Sequence, residues 1–363
     1  MDVFVIGQAV HAPAARIGDK RLEELVFDTA FAALADAGVS RAQIDHVTIA
    51  GCDELDGRSI SSMLLAAPAG AQLRDEMKCT DSGLTGLCLE AMRLESGIFD
   101  LGLLVSWSKP STAPLEDVMR MRCEPFYTRP VGLNMAITDG LFAQAAGAKY
   151  GFDEFDADEA VLDGYRRAHK NPRGMGYAVP GSEAIATSPY VAAPLRRAHQ
   201  APITDGGAAM VVASGAWLKR NPRARPLAQV TGIGWRNEEY DLGADRLAGL
   251  TGFTNALSDA LRMADLKNAS ALDLIELDSQ TGFHELAFRA ALNGHAPAAV
   301  STSGGAFAQN PYFCTGLINA AEAILQLSDG AGPIQIPGIK RAAAHGSHGF
   351  ANQGNVAVVL ERV

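Results

Sequence analysis

The chain has 363 residues, enough for one large domain or two of ordinary size, and its 48% hydrophobic and 20% charged residues are a normal globular balance. Its formal charge of −10 argues against nucleic acid and anionic membranes as partners, and no apolar run reaches transmembrane length. Five scattered cysteines form neither a disulfide framework nor a paired metal-ligand spacing, so no metal is expected and a reducing cytoplasm is the expected compartment.

VFVIGQAV (3–10) has the pattern of a buried strand, and MDVFVIGQAV lacks the basic start and long apolar region of a secretory signal. LEELVFDTAFAALADAGV (22–39) predicts an amphipathic helix closed by Gly38, and HVTIAG (46–51) the next strand. Residues 53–75 are irregular. The stretch 76–108 then organises the chain. An extended approach ends at Lys78-Cys79-Thr80, and Asp81-Ser82-Gly83 leads into an apolar stripe at Leu84, Leu87, Cys88, Ala91 and Leu94, which is helical spacing. LGLLVS follows as a buried strand. A thiol and a hydroxyl thus stand just before a buried helix, whose unpaired N–H groups favour a thiolate. A free cysteine is nonetheless most often a small buried hydrophobe.

From about 109 to 200 the pattern loosens, with helical pieces near 134–149 and 157–170. Such an insertion in an α/β chain reads as a lid or binding region. It carries Arg166, Arg167, Lys170, Arg173, Arg196 and Arg197 against an acidic background, either a solvated basic surface or a seat for ligand phosphates. Residues 201–214 are a turn and a buried strand, and NPRARP (221–226) reads as a linker. The alternation then restarts: AQVTGIGW strand, FTNALSDALRMADL helix, LDLIELDS strand, FHELAFRAAL and TGLINAAEAILQL helices, NVAVVLER strand. Alternating strands and helices imply right-handed crossovers and a parallel or mixed sheet covered on both faces.

Five segments, in order, resemble the thiolase superfamily over nearly the whole chain, with the divergent lipid-transfer type the nearest group. They are the opening strand with ALADAGV, SGLTGLCLEAMRLESG, ITDGGAAMVV, STSGGAFAQNPYFCTGLINAAEAILQL and HGSHGFANQGNVAVVLER. The resemblance implies an α/β thiolase fold of two pseudo-symmetric α-β-α-β-α halves with mixed five-stranded sheets. The halves would span 1–225, including the 109–200 lid, and 226–363. It also implies a coenzyme A thioester as substrate, with no permanently bound cofactor.

The resemblance places the catalytic groups, with departures. The nucleophile position falls on Thr80, with Cys79 one residue earlier. The histidine after the Ile-Glu-Leu strand is replaced by Asp278, while His284 lies further along and reads as an ordinary helix histidine. The histidine before proline is Asn310, which can donate to an oxyanion but cannot act as a base. The closing loop 345–349 offers His345, with His348 as alternate, for acid/base work. Tyr312 reads as a packing aromatic whose hydroxyl could reach the cavity. The expected catalytic set is therefore Cys79, Thr80, Asn310, His345 and His348, with Arg166, Arg167 and Lys170 on the phosphates.

The function implied is an acyltransferase that makes or breaks a carbon–carbon bond next to a coenzyme A thioester, of Claisen or retro-Claisen type. Retro-aldol cleavage is the variant that needs no covalent cysteine. The alternative is a catalytically degenerate subunit paired with an active thiolase-like paralogue. A dimer is expected, either a homodimer or a heterodimer with that paralogue. The resemblance also permits a small zinc-ribbon and oligonucleotide-fold partner subunit.

Overall fold

The computed structural model describes residues 1–363. It opens with β1 (Val3–Val10), α1 (Leu22–Ala37), β2 (His46–Ala50), α2 (Ser62–Leu65), β3 (Asp75–Cys79), α3 (Gly83–Glu95) and β4 (Leu101–Ser108). Then come α4 (Leu115–Arg122), α5 (Met135–Tyr150), α6 (Glu154–Lys170), α7 (Ser182–Ala186) and a small hairpin of β5 (Tyr190–Ala192) and β6 (Leu195–Arg196). β7 (Gly206–Ser214) and α8 (Gly215–Arg220) precede the NPRARP segment. Beyond it lie β8 (Ala228–Asn237), α9 (Ala244–Gly249), α10 (Thr251–Met263), β9 (Leu274–Glu276), α11 (Gly282–Ala291), β10 (Ala299–Val300), α12 (Thr315–Leu327), β11 (Arg341–His348) and β12 (Gly354–Glu361).

Ten strands form one mixed sheet in the order β10-β9-β11-β12-β8-β1-β7-β4-β2-β3. Five precede the NPRARP segment and five follow it. Counted within each group, the order is third, second, fourth, fifth, first in both. In each group the second strand runs parallel to the third and fourth, and the remaining pairings are antiparallel. The groups meet where β1 pairs with β8 over Val3–Val5.

The central strands β2, β4 and β7 are buried throughout, so both of their faces are covered, as a sheet sandwiched between helices requires. One face packs on α3 and α12, in a cluster of 41 buried residues that includes Val5, Leu104, Val358, Leu84 and Leu317. The opposite face packs on α1 over the first group, and on α10 and α11 over the second. α12 is buried almost all round, which explains its near-continuous apolar sequence. Its Gly316 allows close approach, since a Cβ there would lie 2.7 Å from Cα of Gly346 and 3.1 Å from Cβ of Leu84. No helix is long and apolar enough to cross a membrane.

The closing segment differs from its expectation. Residues 345–348 are not loop: β11 pairs with β12 along its whole length, from Arg341 opposite Glu361 to His348 opposite Gly354. Ala342–Ala344 and Gly346 have weak intrinsic strand preference, and the apolar run Val356–Leu360 on the partner supplies the pairing. Only residues 349–353 turn.

Candidate active site

The segments that follow β4, β9 and β11 converge at one end of the sheet, where parallel strands of an open α/β sheet gather ligands. They enclose a cavity of about 540 Å³ together with α4 and α5. The 109–200 region supplies Pro110, Leu115, Met135 and Asp139 to its wall.

Asp139 and His284 face each other in the lining. The Asn134 side chain caps α5 and accepts from Ile137 N–H, which fixes the helix start and sets Met135 and Asp139 one turn apart on the cavity face. Thr281 caps α11 by accepting from His284 N–H, which holds His284 in the first turn. His284 Nε2 lies 3.9 Å from Asp139 Oδ1, and its ring packs on Phe142 and Phe288. His284 is 2% exposed, and neither ring nitrogen has a hydrogen-bond partner in the protein. Burial pushes the Asp139 carboxyl up to about 7. Burial and the neighbouring His345 push His284 down to about 3, so its imidazole is neutral at physiological pH.

Three residues in the wall hold left-handed backbone without being glycine: Tyr312 at φ 52°, Ala351 at 46° and Asn352 at 56°. Strained backbone of this kind persists where surrounding contacts over-determine it, and it gathers at functional sites. Tyr312 N–H donates to Asn310 Oδ1. Burial raises the Tyr312 phenol above its ordinary value, so it stays a hydroxyl donor. The Asn352 amide nitrogen is buried and has no protein partner.

The two histidines of β11 are not interchangeable. Positions 345 and 348 are an odd number apart, so a strand sends their side chains to opposite faces. His348 reaches the cavity, and its ring lies over Gly354, where a Cβ would collide with it. Burial lowers its pKa, partly offset by Asp81. His345 is fully buried on the other face, edge-on to Phe253 and Phe288. Its Nε2–H donates to Asn355 Oδ1 at 3.0 Å, while Nδ1 accepts from Asp278 N–H at 3.4 Å. Asn355 in turn donates to Asn352 O, so His345 braces the 349–353 turn from behind.

Asp278 and Asn310 also stand one layer back. Asp278 Oδ2 accepts from Ser347 N–H at 2.9 Å, and Oδ1 accepts from Gln280 Nε2 at 2.6 Å. Asn310 Nδ2 donates to Gln280 Oε1 at 2.7 Å, and its Oδ1 accepts from Thr315 Oγ1 and Tyr312 N–H. The two residues at the family's histidine positions thus clamp Gln280, a residue of the cavity wall. Asn310 is not itself in the lining, because its amide is committed to Gln280.

Cys79 and Thr80 are not brought to this cavity. Cys79 is the last residue of β3, paired opposite Ala50, and its side chain lies in the core. Its Sγ–H donates to the carbonyl oxygen of Ser82 at 3.8 Å, and the backbone at Asp81 and Ser82 lowers its pKa by less than burial raises it. Burial pushes the thiol above its usual value, the reverse of thiolate activation. Thr80 is exposed and outside the cavity wall. The cap of α3 is Ser82, whose side chain accepts from Thr85 N–H.

Arg166, Arg167 and Lys170 do not line the cavity either. Arg166 pairs with Asp163 and Arg167 with Glu285, while Lys170 is exposed. Arg173 and Arg196 are held by Glu322 and Glu154. The apparent basic cluster is largely neutralised by carboxylates of neighbouring elements.

Asp139 escaped the sequence reading because a single acid within a helix usually marks the solvated face. The signal was its place beside Phe142, Ala143 and Ala146, an acid on the buried stripe.

No family model matches the chain. It is 25% identical to the acetyl-CoA acetyltransferase of Methanothermobacter thermautotrophicus, over 98% of this chain and 99% of that protein. Human mitochondrial 3-ketoacyl-CoA thiolase superposes with a TM-score of 0.81 at 17% identity, covering 99% of this chain and 98% of the other. The same thiolase in complex with CoA gives a TM-score of 0.80 at the same identity and coverage. The protein is thus an α/β chain with the thiolase fold. That fold, with a sequence likeness running the full length of both chains, makes the thiolase superfamily the group this chain resembles.

Proposed function

We propose that the protein acts on an acyl-CoA thioester, making or breaking a carbon–carbon bond beside the thioester without an acyl-cysteine intermediate. The full-length likeness to an acetyl-CoA acetyltransferase and the thiolase fold support the substrate class. The observation that carries the noncovalent reading is the content of the cavity. Its wall has His348, Tyr312, His284 and Asp139, while the thiol at Cys79 is outside it and held protonated by burial. Aldol-type cleavage or condensation needs only acid/base and oxyanion groups. In this reading His348 exchanges the proton at carbon 2 of the acyl group. The Tyr312 hydroxyl and the Gln280 amide hold the thioester oxygen as it gains charge.

Incubation with butyryl-CoA followed by intact-mass analysis tests this. No acyl adduct should form, and Cys79→Ser should retain turnover. An adduct abolished by Cys79→Ser would restore a Claisen-type acyltransferase.

A catalytically degenerate subunit is supported by Asp278 and Asn310, which cannot do a histidine's work. The cavity's own titratable groups support an enzyme over that reading.

A dimer, with itself or with a paralogue, is the proposed assembly. β3 is an open sheet edge, with Ile60, Met63, Leu64 and Leu73 exposed on the segment leading into it. Light scattering at micromolar concentration should report twice the 38.1 kDa chain mass, either for the chain alone or on adding its paralogue. A monomer under both conditions would refute the assembly.

A further inference from the structure

The cavity contains more unsatisfied polar atoms than proton exchange at carbon 2 requires. Both nitrogens of His284 and the amide nitrogen of Asn352 are buried without a protein partner, and both residues line the cavity. Buried groups of this kind are ordinarily paired, because leaving one without a partner forfeits its hydration with nothing in return. Asp139 Oδ1 and His284 Nε2 are 3.9 Å apart, too far to satisfy each other. The spacing suits a third atom. An oxygen about 2.8 Å from each would see them at an angle of about 90°, a geometry a hydroxyl can meet by accepting from one and donating to the other.

The charge of the wall narrows the choice. The lining contains Glu116, Asp117 and Asp139 but no lysine or arginine. A carboxylate or phosphate inside would meet like charge with no cation in the lining to pair it, Arg122 acting on Tyr312 and His348 from outside the wall. Leu115, Met135 and Ile203 give the rest of the wall apolar character. The ligand part that enters is therefore uncharged and mainly hydrocarbon, with one oxygen function.

We infer that Asp139 and His284 form a hydroxyl-binding subsite that selects 3-hydroxyacyl thioesters over plain acyl thioesters. The inference rests on the acyl-CoA reading above, because cleavage beside the thioester leaves carbon 3 as the oxygen-bearing carbon. The neutral imidazole donates from Nε2 to the hydroxyl oxygen, and the hydroxyl donates to the Asp139 carboxylate. Asn352 lies in the same wall as a further donor.

Calorimetric titration at pH 8 with 3-hydroxybutyryl-CoA and with butyryl-CoA tests the subsite. The wild type should bind the hydroxylated ligand about 10-fold more tightly or better, the scale of a hydrogen bond to a charged group. Asp139→Asn and His284→Leu should each shrink that ratio to within about 2-fold, and His284→Gln, which keeps an N–H near the Nε2 position, should retain most of it. Equal binding of the two ligands by the wild type overturns the subsite and leaves the acyl-CoA reading intact. Binding of neither ligand overturns both. A ratio that survives in Asp139→Asn and His284→Leu places the hydroxyl elsewhere and also overturns the assignment.

Discussion

Replacing His348 with alanine should slow exchange of solvent deuterium into carbon 2 of butyryl-CoA by roughly 100-fold or more, the usual scale for a positioned acid/base. This half-reaction is informative because both Claisen-type and aldol-type chemistry pass through the same carbanion. His348 is the β11 histidine on the cavity face, and its lowered pKa keeps it neutral and able to take a proton. The expected loss is in rate, with butyryl-CoA binding changed far less. Tyr312→Phe should slow the same exchange by a smaller factor, because the Gln280 amide still faces the thioester oxygen. NMR of the acyl protons in D₂O measures both. An unchanged exchange rate in His348→Ala would remove this residue from the chemistry.

His345 should make its contribution to folding instead, and the expected sign follows from its burial. Its pKa falls from 6.5 to about 4 because burial opposes the charged ring, against a raising hydrogen bond to Asn355. A group depressed in the folded state adds stability that is fully present above its unfolded pKa. That stability is lost as pH falls through the folded value. Between pH 7 and 4 the wild type should therefore lose about 3 kcal/mol relative to His345→Phe, which cannot protonate. Comparing the two proteins matters, because Asp139, Asp278 and Glu276 have raised pKa values and act in the opposite sense. Those contributions cancel in the difference. Urea unfolding across the pH range reads the effect, and parallel stability curves would show that His345 is not a buried neutral ring.

These two histidines also show what the sequence could and could not convey. The fold was legible because apolar periodicity survives divergence: α12 is found at Thr315–Leu327 and β1 at Val3–Val10, as their patterns require. The end of β11 was not legible, since glycine and alanine mask a strand whose pairing comes from β12. Reading 345–349 as a loop put His345 first with His348 as its alternate, and strand alternation sends only His348 to the cavity. Cys79 was misplaced for a related reason. Its proximity to α3 in sequence suggested the helix N-terminus, but it ends β3 and alternation turns it into the core. Asp278 and Asn310 read as lost histidines. The structure gives them a second-layer role around Gln280 that depends on contacts between β9, β11 and α12, which no local pattern encodes.

A crystal structure with bound butyryl-CoA should show the acyl chain inside the cavity between His348 and the Asp139–His284 pair, its thioester oxygen facing Tyr312 and Gln280, and an unmodified sulfur on Cys79. An acyl group bonded to Cys79, or a ligand seated away from this cavity, would contradict this reading.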